Sequence, residues 1–393
     1  MPQFRLKNFS DLAFLQTVDK PNVLGKLLAP HREYFKRQGL DIARLSNDDA
    51  CARQLLAIFT KTVETLPDGL LHALHLIGEM SGEEGHERIV QEAARLGAGL
   101  PLLSHGMTSG DFAILAFLGH PELVRMCHEK AVARKVKRYY EYPSHDARRF
   151  GLGDFEAAIS GLKAVLGLWF EGRRRSRASE IFLYRDGGEV RILVTHGGLF
   201  RADGNVTGAL QFSRLGWRPQ EHDSIIYDGA TGILKIHARF EPDRRFYLQS
   251  FGQALAGDPA FFMDEPPYTL APLRNGSLRL VDGICEARLT EALIETDSAK
   301  WRQIALKGDD VMETFNGLGS YAVPPAEIVR ANFALRFASG GHPRRLEMRL
   351  PNIADYDRER DGEVYEAFIH ANGFHVIADW RDEGVARQLV DAD

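Results

Sequence analysis

The feature that most constrains this chain is a change of hydrophobic period at a basic hinge, Gly172-Arg173-Arg174-Arg175-Ser176-Arg177. Before it, apolar residues recur at helical spacing. After it, short β-branched and aromatic runs are bounded by Gly, Pro, Asn and Asp. A repeat of 3.6 residues and a repeat of two cannot share one element, so the chain divides by class. The 393 residues also exceed the roughly 250–300 at which a single core stops growing. The expectation is an α+β protein, with an irregular helical bundle over residues 1–172 and an α+β domain with antiparallel hairpins over residues 178–393.

In the first part, Pro21 and Pro30 break the opening Leu/Val stretch into short helical pieces. A helix is predicted from Asp48 to Leu66, with Leu55, Ile58, Phe59 and Val63 on one stripe. Another covers Leu70–Met80. Ser81 and Glu84 have the spacing of a capping box for the next helix, which ends near Gly97 or Gly99. Asp111–Leu118 is a short apolar helix, Pro121 opens a long helix to Tyr140, and Phe155–Phe170 closes the half.

In the second part, Glu180–Tyr184 and Val190–Thr195 flank Asp186-Gly187-Gly188, a strong hairpin signal. Ser224–Tyr227 and Ile233–Ala238 flank a longer turn, Asp228 to Gly232. Arg245–Leu255 reads as helix. Further strands are predicted at Ser277–Val281, Ile284–Leu289, Phe333–Phe337 and Leu346–Leu350, with Gly340-Gly341 turning the last pair. Asp361 is the expected N-cap of a final helix that stops at Asn372-Gly373. Strands gathered after helices favour α+β over a doubly wound parallel sheet.

Composition narrows the class. No apolar run approaches the roughly 18 residues of a membrane span, and the first residues lack the pattern of a secretory signal. Cys51, Cys127 and Cys285 are far apart, which fits a reducing cytoplasm and leaves no CxxC pair for zinc. No cofactor, metal or membrane association is expected.

Chemistry-bearing residues are scattered. His72, His75 and Glu79 can share a helix face, but without a fuller ligand set they read as a polar face. Asp228 precedes a strand bearing Lys235, a nuclease-like hint. A metal-dependent hydrolase needs a second carboxylate beside that lysine, and Leu234 and Ile236 flank it instead, so a hairpin explains the stretch. Phosphate-cradling and nucleophile-elbow motifs are missing.

The charge distribution is the best functional lead. Residues 125–191 hold fifteen Lys/Arg against nine Asp/Glu in a chain of net charge −5. On a helical wheel Lys130, Arg134, Lys137 and Arg138 fall within a quarter turn. Arg148, Arg149, Arg173, Arg174 and Arg175 extend the zone, with Tyr139, Tyr140 and Tyr142 interleaved. Basic side chains with aromatics suit nucleic acid. The expected function is therefore a non-enzymatic binding protein that engages nucleic acid, DNA included, through these nine residues. The alternatives are an adaptor that docks an acidic protein partner within a complex, and an enzyme of the hydrolase or nuclease class with a dispersed site.

Overall fold

The fold, seen in a computed structural model, is described for residues 6–60, 66–101, 106–206, 211–264, 267–275, 277–296, 302–314 and 326–376. It is α+β, with helices concentrated in the first part and antiparallel strands in the second. Two compact units divide the chain: residues 1–132 with 201–217, and residues 133–200 with 218–393. The second unit thus begins forty-five residues before the expected 178, because a strand and a long helix ahead of the hinge belong to the sheet.

The first unit is built from short helices. These are α1 (Leu12–Thr17), α2 (Gly25–Leu28), α3 (Arg32–Arg37), α4 (Asp49–Phe59), α5 (Asp68–Met80), α6 (Glu83–Leu96), α7 (Ser109–Gly119) and α8 (Pro121–Arg134). Pro21 and Pro30 sit in π and 3₁₀ turns that interrupt the opening stretch, since proline supplies no N–H to continue a helix. Phe9, Phe35, Leu55, Phe59, Leu70, Leu74 and Ile114 pack into one core. Lys20 is completely buried there. Its Nζ donates to the carbonyls of Leu15 at 2.7 Å and Val18 at 3.3 Å, closing the end of α1.

The second unit carries a ten-stranded antiparallel sheet in the order β2-β3-β6-β7-β1-β12-β11-β10-β8-β9. In chain order, β1 is Arg138–Tyr142, β2 Ser179–Asp186 and β3 Glu189–Gly197. Then come β6 Gln220–Asp228, β7 Leu234–His237, β8 Ile284–Thr296 and β9 Gln303–Lys307. The last are β10 Ala326–Phe337, β11 Arg344–Arg349 and β12 Ile353–Asp355. The intervening β4 (Arg201–Val206) and β5 (Phe212–Trp217) form a separate two-stranded ribbon. Helices α9 (Leu152–Gly172) and α10 (Glu241–Ala256) pack on Val190, Ile192, Ile225, Tyr227, Leu234 and Ile236. Helix α11 (Arg358–Ala371) packs through Tyr365, Phe368 and Ile369 on Ala331, Met348 and Ala354.

Residues directly opposite in an antiparallel pair share a face, so the register locates these helices. Ile236 lies opposite Tyr140 and Ile225, on the face of α9 and α10. Lys235 lies opposite Glu141 and Ile226, on the other face. Tyr139, two residues from Glu141, pairs with Ala354 of the α11 core. Thus α11 covers the sheet from the side opposite to α9 and α10. Glu141 and Lys235 lie where it meets the centre of the sheet.

Several expectations change. Helix α8 stops at Arg134, and Arg138–Tyr142 is the central strand β1. Ser81 caps no N-terminus: it ends α5, its Oγ bonds the Ile77 carbonyl, and Gly82 precedes α6. The capping box is instead Thr108 with Asp111 on α7. Residues 277–281 form no strand. Asp357, not Asp361, is the N-cap of α11, and Asp361 sits at a kink with φ −145° and ψ 32°. Both expected hairpins form, Gly97 and Gly257 end α6 and α10, and Asn372-Gly373 ends α11. Of the helix expected over 48–66, Asp48 caps α4, while 61–65 lie outside the described residues.

Candidate functional site

On the α11 side of the sheet a cavity of about 560 Å³ opens beside Lys235. Its walls come from the β2–β3 hairpin end, the end of β6, β7, the last residue of α8, and α11 with the tyrosine before it. Most of the lining residues are charged. Arg134, Arg191, Lys235 and Arg358 supply positive charge, and Asp186, Glu189, Asp228, Glu359, Glu363 and Glu366 supply negative charge. Glycines at 187, 188 and 362 keep parts of the wall free of side chains.

Alternation along the strands puts these groups together. Tyr184 pairs with Arg191, Arg191 with Ile226, Ile226 with Lys235 and Lys235 with Glu141, so one row crosses four strand pairs on one face. Residues two positions along the hairpin add Asp186 and Glu189 to the same face. Across the cavity, Glu363 and Glu366 lie at i and i+3 beyond the kink of α11 at Asp361, and Glu359 joins them from before it.

The floor is a network of buried ionic groups. Lys235 is only 4 % exposed. Its Nζ donates to Glu366 Oε1 at 3.0 Å, and the Tyr356 hydroxyl donates to the same oxygen. Arg358 Nη2 bonds Glu141 at 3.1 Å, and its guanidinium lies over the rings of Tyr356 at 3.9 Å and Tyr139 at 4.7 Å. Nearer the hairpin, Asp186 takes Arg134 at 3.2 Å and Arg191 at 3.3 Å, and Glu189 takes Arg191 at 2.8 Å.

Burial opposes the charge on Lys235, yet Glu366 and Glu141 outweigh it and hold the ammonium protonated well above its ordinary range. Burial likewise opposes ionisation of Glu366, and Lys235 and Arg358 overcome it, keeping the carboxylate charged far into acid. Burial, with the nearby carboxylates adding to it, pushes the hydroxyls of Tyr356 and Tyr268 upward. Lys235 and Glu366 therefore stay charged, and the two hydroxyls neutral, through the neutral range.

Two features face outward from this network. A lysine ammonium carries three N–H donors, and among the described residues only Glu366 accepts one of them. Glu366 Oε2 accepts no hydrogen bond among the described residues, while a quarter of its side chain, 26 %, remains accessible. The buried hydroxyl of Tyr268, whose charge neighbours are Glu141, Glu366 and Arg358, also lacks a hydrogen-bond partner.

The structure places most of the nine basic residues expected from sequence on separate intramolecular partners. Lys130 belongs to the first unit and the other eight to the second. Lys130 binds Glu92 at 2.6 Å, Lys137 binds Asp357 at 3.2 Å, and Arg138 binds Asp355 at 3.0 Å. Arg148 holds Asp146 at 2.8 Å, and Arg149 bonds the carbonyls of Asp146 and Arg148. Arg173 stacks on Trp169, Arg174 is exposed with φ 61°, and Arg175 is buried against Asp243 at 2.6 Å. Arg134 alone lines the cavity.

Asp228 and Lys235, set aside as a hairpin, do lie in that hairpin and also line the cavity together. The partner missing from the local sequence is Glu366, 131 residues away. Only the glutamates on α11 signal it, and a solvated helix shows the same pattern. His75 turns to His128 at 5.3 Å, and Glu79 to Lys7 at 3.7 Å. Among the described residues no cluster of three or more His, Cys, Asp or Glu is placed to hold a metal ion, and no helix is long and apolar enough to cross a membrane. No protein-family model matches the chain, and no curated protein matches it either.

Proposed function

We propose that this chain is a binding protein that takes a small amphoteric ligand, of amino-acid or short-peptide type, in the cavity beside α11. The observation that carries the reading is Lys235. It is a buried, charged donor at a cavity wall, with two of its three N–H groups unclaimed among the described residues. A buried charge without its full set of partners is costly, and an acceptor group on a ligand meets that need. Glu366 Oε2, Asp228 and Glu363 line the same space and suit the donors of a cationic group. The volume lies within the roughly 300–1,000 Å³ of small-molecule sites, and charged groups of both signs among the lining residues favour an occupant that carries both.

Binding is favoured over proton-transfer catalysis because efficient acid–base groups have pKa values near the working pH. Lys235, Glu366 and Tyr356 are all driven away from neutrality. Contact of the nine basic residues with nucleic acid or an acidic partner has less support, since most of them already hold carboxylates or carbonyls that a phosphate must displace.

Thermal denaturation against amino acids, di- and tripeptides, polyamines and mononucleotides tests the reading. One amphoteric class should raise the midpoint on the order of 5–10 °C at about a hundred times its Kd. Glu363→Gln, at an exposed wall position, should remove most of that shift without lowering the unliganded midpoint. A flat response to every class at millimolar concentration defeats the proposal.

A further inference from the structure

The ribbon of β4 and β5 poses a separate physical problem. An isolated two-stranded hairpin is marginal in water, and among the described residues this one pairs with no other strand. Its described side chains are exposed on both faces: residues 201–204 and 211–217 all lie in solvent. Phe212 is 93 % exposed, and Leu215 and Trp217 are exposed beside it. Scattered surface apolar residues need no explanation, but several on one exposed element mark an interaction site.

The register sorts the two faces. Arg214 pairs with Gly204, Gly216 with Ala202, and Phe212 with Val206, so one face carries a phenyl ring and a guanidinium beside the small residues Ala202, Gly204 and Gly216. Space around Gly204 is open: a Cβ built there meets nothing within 4 Å. The other face pairs Arg201 with Trp217 and Asp203 with Leu215. The Phe212–Arg214 face therefore carries a cation and no acid, within a chain of net charge −5.

We infer that this ribbon is a nucleic-acid contact that enters the major groove of duplex DNA with the Phe212–Arg214 face leading. Dimensions and chemistry both point there. Strands of six residues span about 20 Å at roughly 3.3 Å per residue. The major groove, about 12 Å wide and 8.5 Å deep, admits a two-stranded ribbon. The small residues at 202, 204 and 216 keep that face thin. Arg214 is placed to meet a guanine edge or a phosphate, and Phe212 to pack on a thymine methyl, which is the apolar contact this groove offers. Arg201, on the opposite face, is left for the backbone phosphates. A lipid surface fits less well, because Arg214 lies mid-strand between Phe212 and Gly216 and would be carried into hydrocarbon with the ring.

This inference is independent of the cavity and of the nine basic residues expected from sequence, none of which lies on the ribbon. The test uses the full chain in fluorescence-anisotropy titrations at low salt. The probes are duplex DNA, duplex RNA, single-stranded DNA, and vesicles of mixed neutral and anionic lipid. Duplex DNA should bind at micromolar protein or tighter. Duplex RNA should bind at least tenfold more weakly, since its deep, narrow major groove excludes side chains. Arg201→Gln with Arg214→Gln should weaken DNA binding at least tenfold and reduce the magnitude of the log–log salt slope by about 1.8, the value for two lost phosphate contacts. If Arg214 reads a base instead, the slope should fall by about 0.9 and discrimination between sequences should drop. Phe212→Ser should weaken binding with the salt slope unchanged. All three substitutions are at exposed positions, so an unaltered thermal midpoint verifies the fold. No duplex binding at micromolar protein overturns the inference, as does binding that survives both the arginine and Phe212 variants. Equal binding to single strands or duplex RNA removes the groove, and vesicle binding that Phe212→Ser abolishes assigns the ribbon to lipid instead.

Discussion

Each unit buries a lysine, and the two differ in what surrounds them. Lys20, in the helical unit, is sealed from solvent and donates to two backbone carbonyls that α1 leaves without helical partners. Its charge complements the negative end of that helix. Lys235, in the sheet unit, faces a carboxylate and a cavity, with most of its donor capacity unspent among the described residues. Burial of a charge is therefore no guide to function by itself. The balance between donors supplied and acceptors met separates the two: Lys20 completes a local turn, while Lys235 stands open towards a space.

Substitutions can break this contrast, and the largest effect belongs to Lys235. Lys235→Met leaves the largely buried Glu366 with Arg358 as its remaining cation, which should cost on the order of 3 kcal/mol of unfolding free energy, read from denaturant midpoints at constant m-value. Adding Glu366→Leu should restore most of that stability, because replacing a whole buried pair by apolar groups is near neutral. Ligand-induced stabilisation should stay absent in the double variant. Recovery of both together would make the pair structural only, like Lys20.

A smaller loss is expected from Lys20→Met. It removes charged hydrogen bonds to two carbonyls, worth about 1.5–3 kcal/mol each at most and partly offset by the apolar replacement. Ligand binding should be unchanged, and a variant that folds but loses the ligand response would erase the contrast.

The pH dependence sharpens it further. Glu366 is depressed from 4.5 to about 2 in the folded state. Its stabilising contribution is therefore complete above pH 4.5 and is lost as pH falls towards 2. Stability in that acid window should fall less steeply in the Lys235→Met/Glu366→Leu variant than in the parent. Parallel acid limbs would remove Glu366 from the account.

The smallest effects concern helix ends. Thr108→Ala should cost about 1 kcal/mol, because Thr108 caps α7. Ser81→Ala should cost less, since its hydroxyl caps no free N–H and bonds the Ile77 carbonyl instead. The reverse order would restore the capping box once expected at Ser81.

What could be read from the chain depended on the range of the interaction. The Asp186–Gly188 turn, the cap at Gly97 and the stop at Asn372-Gly373 act within a few residues, and each was legible. Strand β1 was not. As a central strand it is buried on both faces, Tyr139 and Glu141 on one and Tyr140 and Tyr142 towards the other, so the clean alternation of an edge or half-exposed strand is lost. Its arginine and the lysine before it then completed a convincing basic stripe on a helix that ends at Arg134. The ribbon lacks the two-residue turn that announces a hairpin. The Lys235–Glu366 pair escaped because its members are brought together only by the sheet and α11. At the basic hinge, clustering in sequence does not make one solvated face, since Arg175 faces inward to Asp243 and Arg173 lies on Trp169.

The position of β1 has a consequence for how the chain is made. Arg138 meets Asp355 across 217 intervening steps of sequence, so the middle of the sheet waits for a strand that leaves the ribosome far later. At roughly 5–20 residues per second, that interval lasts on the order of ten to forty seconds. During it, β1 can hold β7 but has an open flank where β12 belongs, and Lys235 has neither Glu366 nor the shelter of α11. The helical unit, rich in local contacts, is free to settle first. The nascent sheet is therefore the stretch most in need of a chaperone, and early termination before α11 yields a chain whose buried lysine is stranded.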